Sequence, residues 1–284
     1  MRNHSTDITM SDDDFSKLRA IVHRNTGITI GETRKTMLVS RLRRRLREVD
    51  EPSFAAYITR LSKDPGEMQE LTDRVTTNET YFYRTPRVWN YFQEVFLPEF
   101  HAIGENRRMR VWSAAASTGE EAHTIGAILE QQRLTKPGFD YSVLGTDVSS
   151  RVLEVAQKGV YNGRSIARFR KERPELFASH MAGSDADGYK AVPPVRARLK
   201  FKLHNLLERL GGTSPFDVVF LRNVLIYFTD EDQETILRHV RDLIRPDGVL
   251  FIGESETLNN LSTGFEQVAP IIYRPVTRAG GPCA

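Results

Sequence analysis

From Arg110 onward the chain repeats one pattern, a short apolar run that ends in small or polar residues and gives way to a helical stretch. The runs are VWSAAAS at 111–117, YSVLGTDV at 141–148, FDVVFLRN at 216–223 and GVLFIGES at 248–255. Each is too short for a helix and apolar at consecutive positions, as a strand covered on both faces must be. Such strands alternating with helices specify an α/β, doubly wound, mostly parallel sheet. In that architecture a ligand lies beyond the carboxyl ends of the strands, where the strand order reverses. The polar ends of the four runs are therefore the place to look for chemistry.

The first 75 of the 284 residues carry almost no strand signal. A Ser-Asp-Asp-Asp cap at 11–14 opens a helix that stops near Gly27, and further helices are expected at about 34–49, 53–62 and 66–76. In the second of these, Leu38, Val39, Leu42, Leu46 and Val49 share one face, so Arg41, Arg43, Arg44, Arg45 and Arg47 should project from the rest. Residues 17–47 hold ten Lys or Arg against one acid, Glu32, although the net charge is only +3. Charge this local points to a partner, an acidic protein helix or a nucleic acid, with an ordinary solvated face as the plain alternative. Residues 182–206 break the strand–helix alternation with turn residues and short alternating stretches, which reads as an inserted antiparallel β-subdomain. The expected organisation is an N-terminal all-helical domain (1–75), a linker and helix (76–109), the α/β domain (110–276) and a frayed tail (277–284). The single cysteine, Cys283, excludes a disulfide framework within the chain, and no apolar stretch reaches the roughly 20 residues of a membrane span. With no signal-peptide pattern at the start, a cytoplasmic protein without membrane insertion is expected.

The loop after the first run, Ser113 to Glu121, is built of small residues and lets a ligand approach the backbone. It lacks the G-x-G-x-x-G pattern, and Glu120 and Glu121 at the helix start would repel a phosphate. Two carboxylates there suit an ammonium or sulfonium ligand, or they only favour the helix dipole. Asp147, at the end of the second run, is placed to accept hydrogen bonds from both ribose hydroxyls of an adenosine, with helix capping as the alternative. The spacing alone leaves a nicotinamide cofactor open. Arg222 and Asn223 follow a run with five apolar residues, Phe216 and Val218 to Leu221, with Tyr227 four positions beyond Asn223, a combination that can hydrogen-bond and stack in a pocket floor. The histidines show no ligand spacing, and no metal site is expected.

Four segments together carry a resemblance. Thr76 to Arg84 (TTNETYFYR), Val111 to Glu121 (VWSAAASTGEE), Asn205-Leu206-Leu207 and Arg222 to Phe228 (RNVLIYF) match, in order, motifs of the CheR-type chemotaxis receptor methyltransferases. The chain resembles that family over nearly its whole length. Tyr81, Tyr83 and His123 depart from the usual residues, although the polar positions between them are kept.

The resemblance implies a Rossmann-like methyltransferase fold and a protein-glutamate O-methyltransferase that uses S-adenosylmethionine and releases S-adenosylhomocysteine. It implies Asn78, Thr80 and Arg84 at the methionine end, Glu121, or else Glu120, at the amino acid or ribose portion, and Asp147 at the ribose. Asn205 with Leu206 and Asn223 with Val224 would frame the adenine and sulfonium side. Arg84 and Tyr227 are the catalytic candidates, near the methyl group and the substrate entrance. The partner implied is a methyl-accepting chemotaxis receptor or receptor-like protein, acted on by a monomer with no stable nucleic acid bound. Arg41, Arg43, Arg44 and Arg47 are the candidate receptor contacts, and the inserted β-subdomain resembles one that in some members docks a receptor pentapeptide. A glutamate is already ionised near neutral pH, so the reaction needs placement and water exclusion more than a general base. The chief rival is a nucleic-acid methyltransferase gripping phosphates with the basic helix. A non-catalytic adenosylmethionine-binding module and a nicotinamide oxidoreductase are further alternatives.

Overall fold

The computed structural model describes residues 8–103 and 107–276. The frayed tail expected at 277–284, including Cys283, lies outside the described residues. The described chain divides into two compact units, one formed by residues 8–77 with 227–229 and the other by 78–226 with 230–276.

The first unit is helical. Helix α1 (Asp12–Thr26) opens on a capping box in which Ser11 and Asp14 satisfy each other's backbone N–H groups, and it closes on Gly27 at φ 74°. A single 3-10 turn (Glu32–Arg34) leads into α2 (Lys35–Glu48). Helix α3 (Phe54–Leu61) is capped by Ser53, and α4 (Pro65–Val75) by Asp64, with Pro65 at the first position, where its missing N–H costs nothing. Leu38, Leu42 and Leu46 of α2 are fully buried among Phe15, Leu18, Phe54, Tyr57 and Leu71, whereas Val39 and Val49 only flank that core.

The second unit begins with α5 (Pro86–Tyr91), a π turn (Phe92–Phe96) and α6 (Leu97–Ala102). Then come β1 (Met109–Ala114), α7 (Glu120–Thr135), β2 (Tyr141–Asp147), α8 (Ser150–Lys158), α9 (Gly163–Glu172) and α10 (Pro174–His180). A hairpin of β3 (Met181–Ser184) and β4 (Gly188–Ala191) forms a separate two-stranded antiparallel sheet. The chain returns through α11 (Pro193–Arg196), β5 (Leu199–Leu203), β6 (Phe216–Leu221), a 3-10 turn (Leu225–Tyr227) and α12 (Asp230–Leu243). It ends with β7 (Ile244–Ile252), β8 (Phe265–Ala269) and β9 (Ile272–Pro275). The main sheet runs β5-β2-β1-β6-β7-β9-β8, with the first five strands parallel and the last two antiparallel.

All four apolar runs are strands, and every residue of β6 is buried, as a central parallel strand requires. The stretch expected as one β-subdomain at 182–206 is divided. Only the β3–β4 hairpin stands apart, and Leu199–Leu203 is the parallel edge strand of the main sheet. Its alternating LKFKL pattern arises because an edge strand is half exposed and carries Lys200 and Lys202 outward. Strand order reverses between β1 and β6, so the loops after these two strands, with that after β2, border the crevice.

Candidate active site

Left-handed backbone at residues other than glycine is uncommon, and it gathers at strand ends where function needs it. Ala115 (φ 65°) and Ser117 (φ 49°) lie in the loop after β1, Asn223 (φ 59°) follows β6, and Tyr83 (φ 58°) and Thr85 (φ 61°) lie in the segment before α5. The structure fastens these segments to one another within the α/β unit.

The loop after β1 is held from three sides. The Ser117 N–H donates to Asp147 Oδ2 at 2.9 Å, the Ser117 hydroxyl donates to the Asn78 carbonyl at 3.0 Å, and the Tyr161 hydroxyl donates to the Thr118 carbonyl at 2.7 Å. Gly119 (φ 93°) must be glycine, because a Cβ there would stand 2.7 Å from Ala156 Cβ and 2.8 Å from the Tyr161 hydroxyl. His123, one of the departures from the family pattern, is buried with its Nδ1 2.9 Å from the Gly119 carbonyl, and burial pushes its pKa down to about 4. It packs under the loop as a neutral ring.

Asp147 ends β2 with Oδ1 accepting the Ser149 N–H at 3.0 Å. Ser149 is the residue that caps α8, its hydroxyl accepting the Val152 N–H, so Asp147 is not that helix's cap. The adjacent His204 N–H donates to the Asp147 carbonyl at 2.9 Å, which brings the Asn205-Leu206 segment to the same end of the sheet. Asn205 Oδ1 accepts the Leu207 N–H at 3.1 Å and Leu206 is buried.

The two glutamates have different surroundings. Glu121 pairs with Arg222 at 2.8 Å and accepts the Ser113 hydroxyl at 2.8 Å. Glu120 is buried among hydroxyls, accepting from Thr118 at 2.6 Å and Ser165 at 2.8 Å, and burial raises its carboxyl above the usual range. Arg222 is the junction of the site. Besides Glu121, its guanidinium donates to the Arg84 carbonyl at 3.0 Å and lies 5.7 Å from the Trp89 ring, whose Nε1–H also donates to Arg84 at 2.8 Å. Trp89 stacks on Phe220 of β6 at 5.4 Å, so α5 ties the 78–85 segment to the centre of the sheet. Thr80 and Arg84 are half-buried on that segment. The Arg84 guanidinium donates to the Glu79 carbonyl at 3.1 Å and lies 5.6 Å from the Tyr81 ring.

Tyr227 groups with the helical unit. Its carbonyl accepts the Thr29 N–H at 2.7 Å, and the Arg34 guanidinium lies 5.5 Å from its ring. In the same unit the arginines of α2 do not all project as expected. Arg41 turns onto the C-terminus of α4 and donates to the carbonyls of Arg74, Val75 and Thr76 at 3.2, 3.0 and 2.9 Å, supplying partners for groups a helix end leaves unsatisfied. Arg45 forms a two-pronged pair with the buried Glu67 at 2.8 and 2.6 Å, and Tyr57 donates to the same carboxylate at 2.7 Å. Arg43, Arg44 and Arg47, with Lys35, line an open groove of about 580 Å³ floored by Val39 and edged by Thr9 and Met10.

Two family models span the chain. Residues 13–76 match the CheR methyltransferase all-alpha domain, and residues 78–272 match the CheR methyltransferase SAM binding domain. The chain belongs to the CheR methyltransferase family. Among curated relatives, Chemotaxis protein methyltransferase 1 of Pseudomonas aeruginosa is 31% identical over 92% of this chain and 97% of its own length. Chemotaxis protein methyltransferase 2 of the same organism is 32% identical over 93% of each chain, and the Escherichia coli chemotaxis protein methyltransferase is 30% identical over 94% and 92%. The cofactor of this CheR-family chain is S-adenosylmethionine, and the donor set fits it. Carboxylates and hydroxyls border the crevice, which suits a sulfonium cation and a ribose diol and would repel a pyrophosphate. Glu256, which fastens the loop after β6, was missed by sequence reasoning. The run GVLFIGES stops one residue short of it, and nothing in its spacing marks it.

Proposed function

We propose that this CheR-family methyltransferase esterifies glutamate side chains of a chemotaxis receptor, so setting the receptor's adaptation. The observation that carries the reading is the convergence of the 78–85, 113–121, 147, 205–206 and 222–224 segments on one strand-order reversal, through Asp147 and Arg222. When bound, S-adenosylmethionine supplies an electrophilic methyl group on a sulfonium. Asp147 would hold the ribose, Asn205 with Leu206 and Asn223 with Val224 the adenine and sulfonium side, and Asn78, Thr80, Arg84 and Glu121 the methionine end. Arg84 would orient the incoming glutamate carboxylate, which is ionised near neutral pH and requires no base. Alignment in a site that excludes water can supply several kcal/mol, on the order of 7–11 in favourable cases.

The groove lined by Lys35, Arg43, Arg44 and Arg47 supports docking of an acidic receptor helix. It also sustains the nucleic-acid alternative, since arginines grip phosphates as readily. One experiment separates the two. The protein is incubated with tritiated S-adenosylmethionine and either receptor membranes or total RNA, and the product is exposed to mild base. Label entering receptor and released as methanol is the expected result. Base-stable label in RNA would replace this function with the alternative.

A further inference from the structure

The loop after β6 holds Asn223 in a left-handed conformation. Its backbone is gathered by one side chain from the turn after the neighbouring strand β7. Glu256 Oε2 accepts the N–H groups of Asn223 at 2.9 Å and Gly253 at 2.5 Å, and Oε1 accepts those of Val224 and Leu225, each at 2.8 Å. The carboxylate is buried, with 8% of the residue exposed, and it spends its acceptor positions on backbone donors. Gly253 completes the fit, since a Cβ there would stand 2.6 Å from Asn223 Nδ2, 2.6 Å from Glu256 Oε2 and 2.8 Å from the Asn223 nitrogen. The same turn reaches a second segment of the site, because Glu254 accepts the Thr85 hydroxyl at 3.3 Å and pairs with Arg87.

We propose that Glu256 is a positioning residue for S-adenosylmethionine binding, setting the Asn223-Val224 backbone through its four N–H contacts. The inference rests on the reading that Asn223 and Val224 face the cofactor. A carboxylate is the one side chain of this size that accepts on both branches. A glutamine would offer one acceptor and turn an NH2 group against two backbone donors, at unchanged size. The strained Asn223 conformation would then lack the contacts that fix it.

The test is Glu256→Gln in the full chain, with Asn223→Ala and the double variant alongside. S-adenosylhomocysteine affinity is measured by calorimetry, KM for cofactor and for receptor in the transfer assay, and melting temperature without ligand. The expected result is a rise of ten-fold or more in the Kd for S-adenosylhomocysteine and in the cofactor KM, with receptor KM within two-fold. The double variant should bind no more weakly than the worse single variant, because both changes act on one loop. A purely structural role would lower the melting temperature and leave the Kd of the folded protein within two-fold, and that result overturns the proposal if Asn223→Ala weakens binding. If neither single variant weakens binding, the cofactor reading of the loop fails first and the proposal falls with it. Should Glu256→Gln not fold, Gly253→Ala presses on the same loop with the carboxylate intact. A ten-fold rise in Kd then supports the proposal, and an unchanged Kd rejects it.

Discussion

Arg222 is buried to within 2% of its side-chain area and has Glu121 as its ion-pair partner, a pair that costs most when only one member is removed. Arg222→Ala should therefore destabilise the protein by about 3–5 kcal/mol in urea denaturation, and adding Glu121→Gln should recover part of that loss. An additive double variant would mean the two side chains act separately. Asp147 holds the loop after β1 and, in the proposed function, the ribose. Asp147→Asn keeps the shape and one acceptor, and it should weaken S-adenosylhomocysteine by about 1.5–3 kcal/mol, roughly 10- to 100-fold in Kd. An unchanged calorimetric Kd would remove Asp147 from the site. Glu120 gives a pH signature. Its carboxyl is raised by burial, so the folded state favours the protonated form. That stability is complete below the ordinary carboxylate pKa of 4.5 and is lost as pH rises through the raised value. Glu120→Gln never ionises, so without cofactor its stability relative to the parent should grow as pH is raised above about 4.5 and then level off. A gap independent of pH would show that Glu120 is not destabilised by ionisation in the fold.

Helix α2 shows how far an element can be read from its own residues. The heptad-like spacing of Leu38, Leu42 and Leu46 fixed the buried face, because burying a leucine is worth about 1.5–3 kcal/mol and dominates the orientation of the helix. The arginines were not legible in the same way. Where a long side chain ends depends on partners elsewhere in the chain, Glu67 for Arg45 and the carbonyl end of α4 for Arg41. The same limit applied to β5, whose alternation resembles an isolated hairpin strand until its parallel partner β2 is known. The strand-end residues Asp147, Arg222 and Asn223 were legible because a run of buried apolar residues must stop where the sheet stops. Glu256 was not, since three of its four partners, Asn223, Val224 and Leu225, lie about thirty residues earlier in the chain. The division within α2 makes a sharp prediction. Replacing Arg43, Arg44 and Arg47 together should raise the KM for receptor and flatten its salt dependence, with cofactor affinity unchanged and stability lowered by about 0.5–1.5 kcal/mol through loss of the Arg43 bond to the Ile8 carbonyl. Arg41→Ala should instead lower stability, by about 1–3 kcal/mol, and leave receptor KM alone. Normal receptor methylation by the triple variant at low and high salt would make the groove a solvated face.

At the scale of the molecule, a net charge of only +3 conceals the run of ten Lys or Arg against one acid at residues 17–47, and the groove its arginines line is built on different elements from the carboxylates that border the crevice. The order β5-β2-β1-β6-β7 also has a temporal meaning. Val111 pairs with Val218 across more than a hundred residues of intervening chain, and the crevice exists only once that pairing is made. Contacts of such sequence separation form slowly, because loop closure must precede the contacts that reward it. A nascent or refolding chain therefore has nothing for S-adenosylhomocysteine to grip until it is almost native. The ligand should act as a latch and not as a template, slowing unfolding in proportion to its occupancy while leaving the refolding rate in stopped-flow unchanged. A refolding rate that climbs with ligand concentration would place the crevice in the transition state, ahead of the sheet that now defines it.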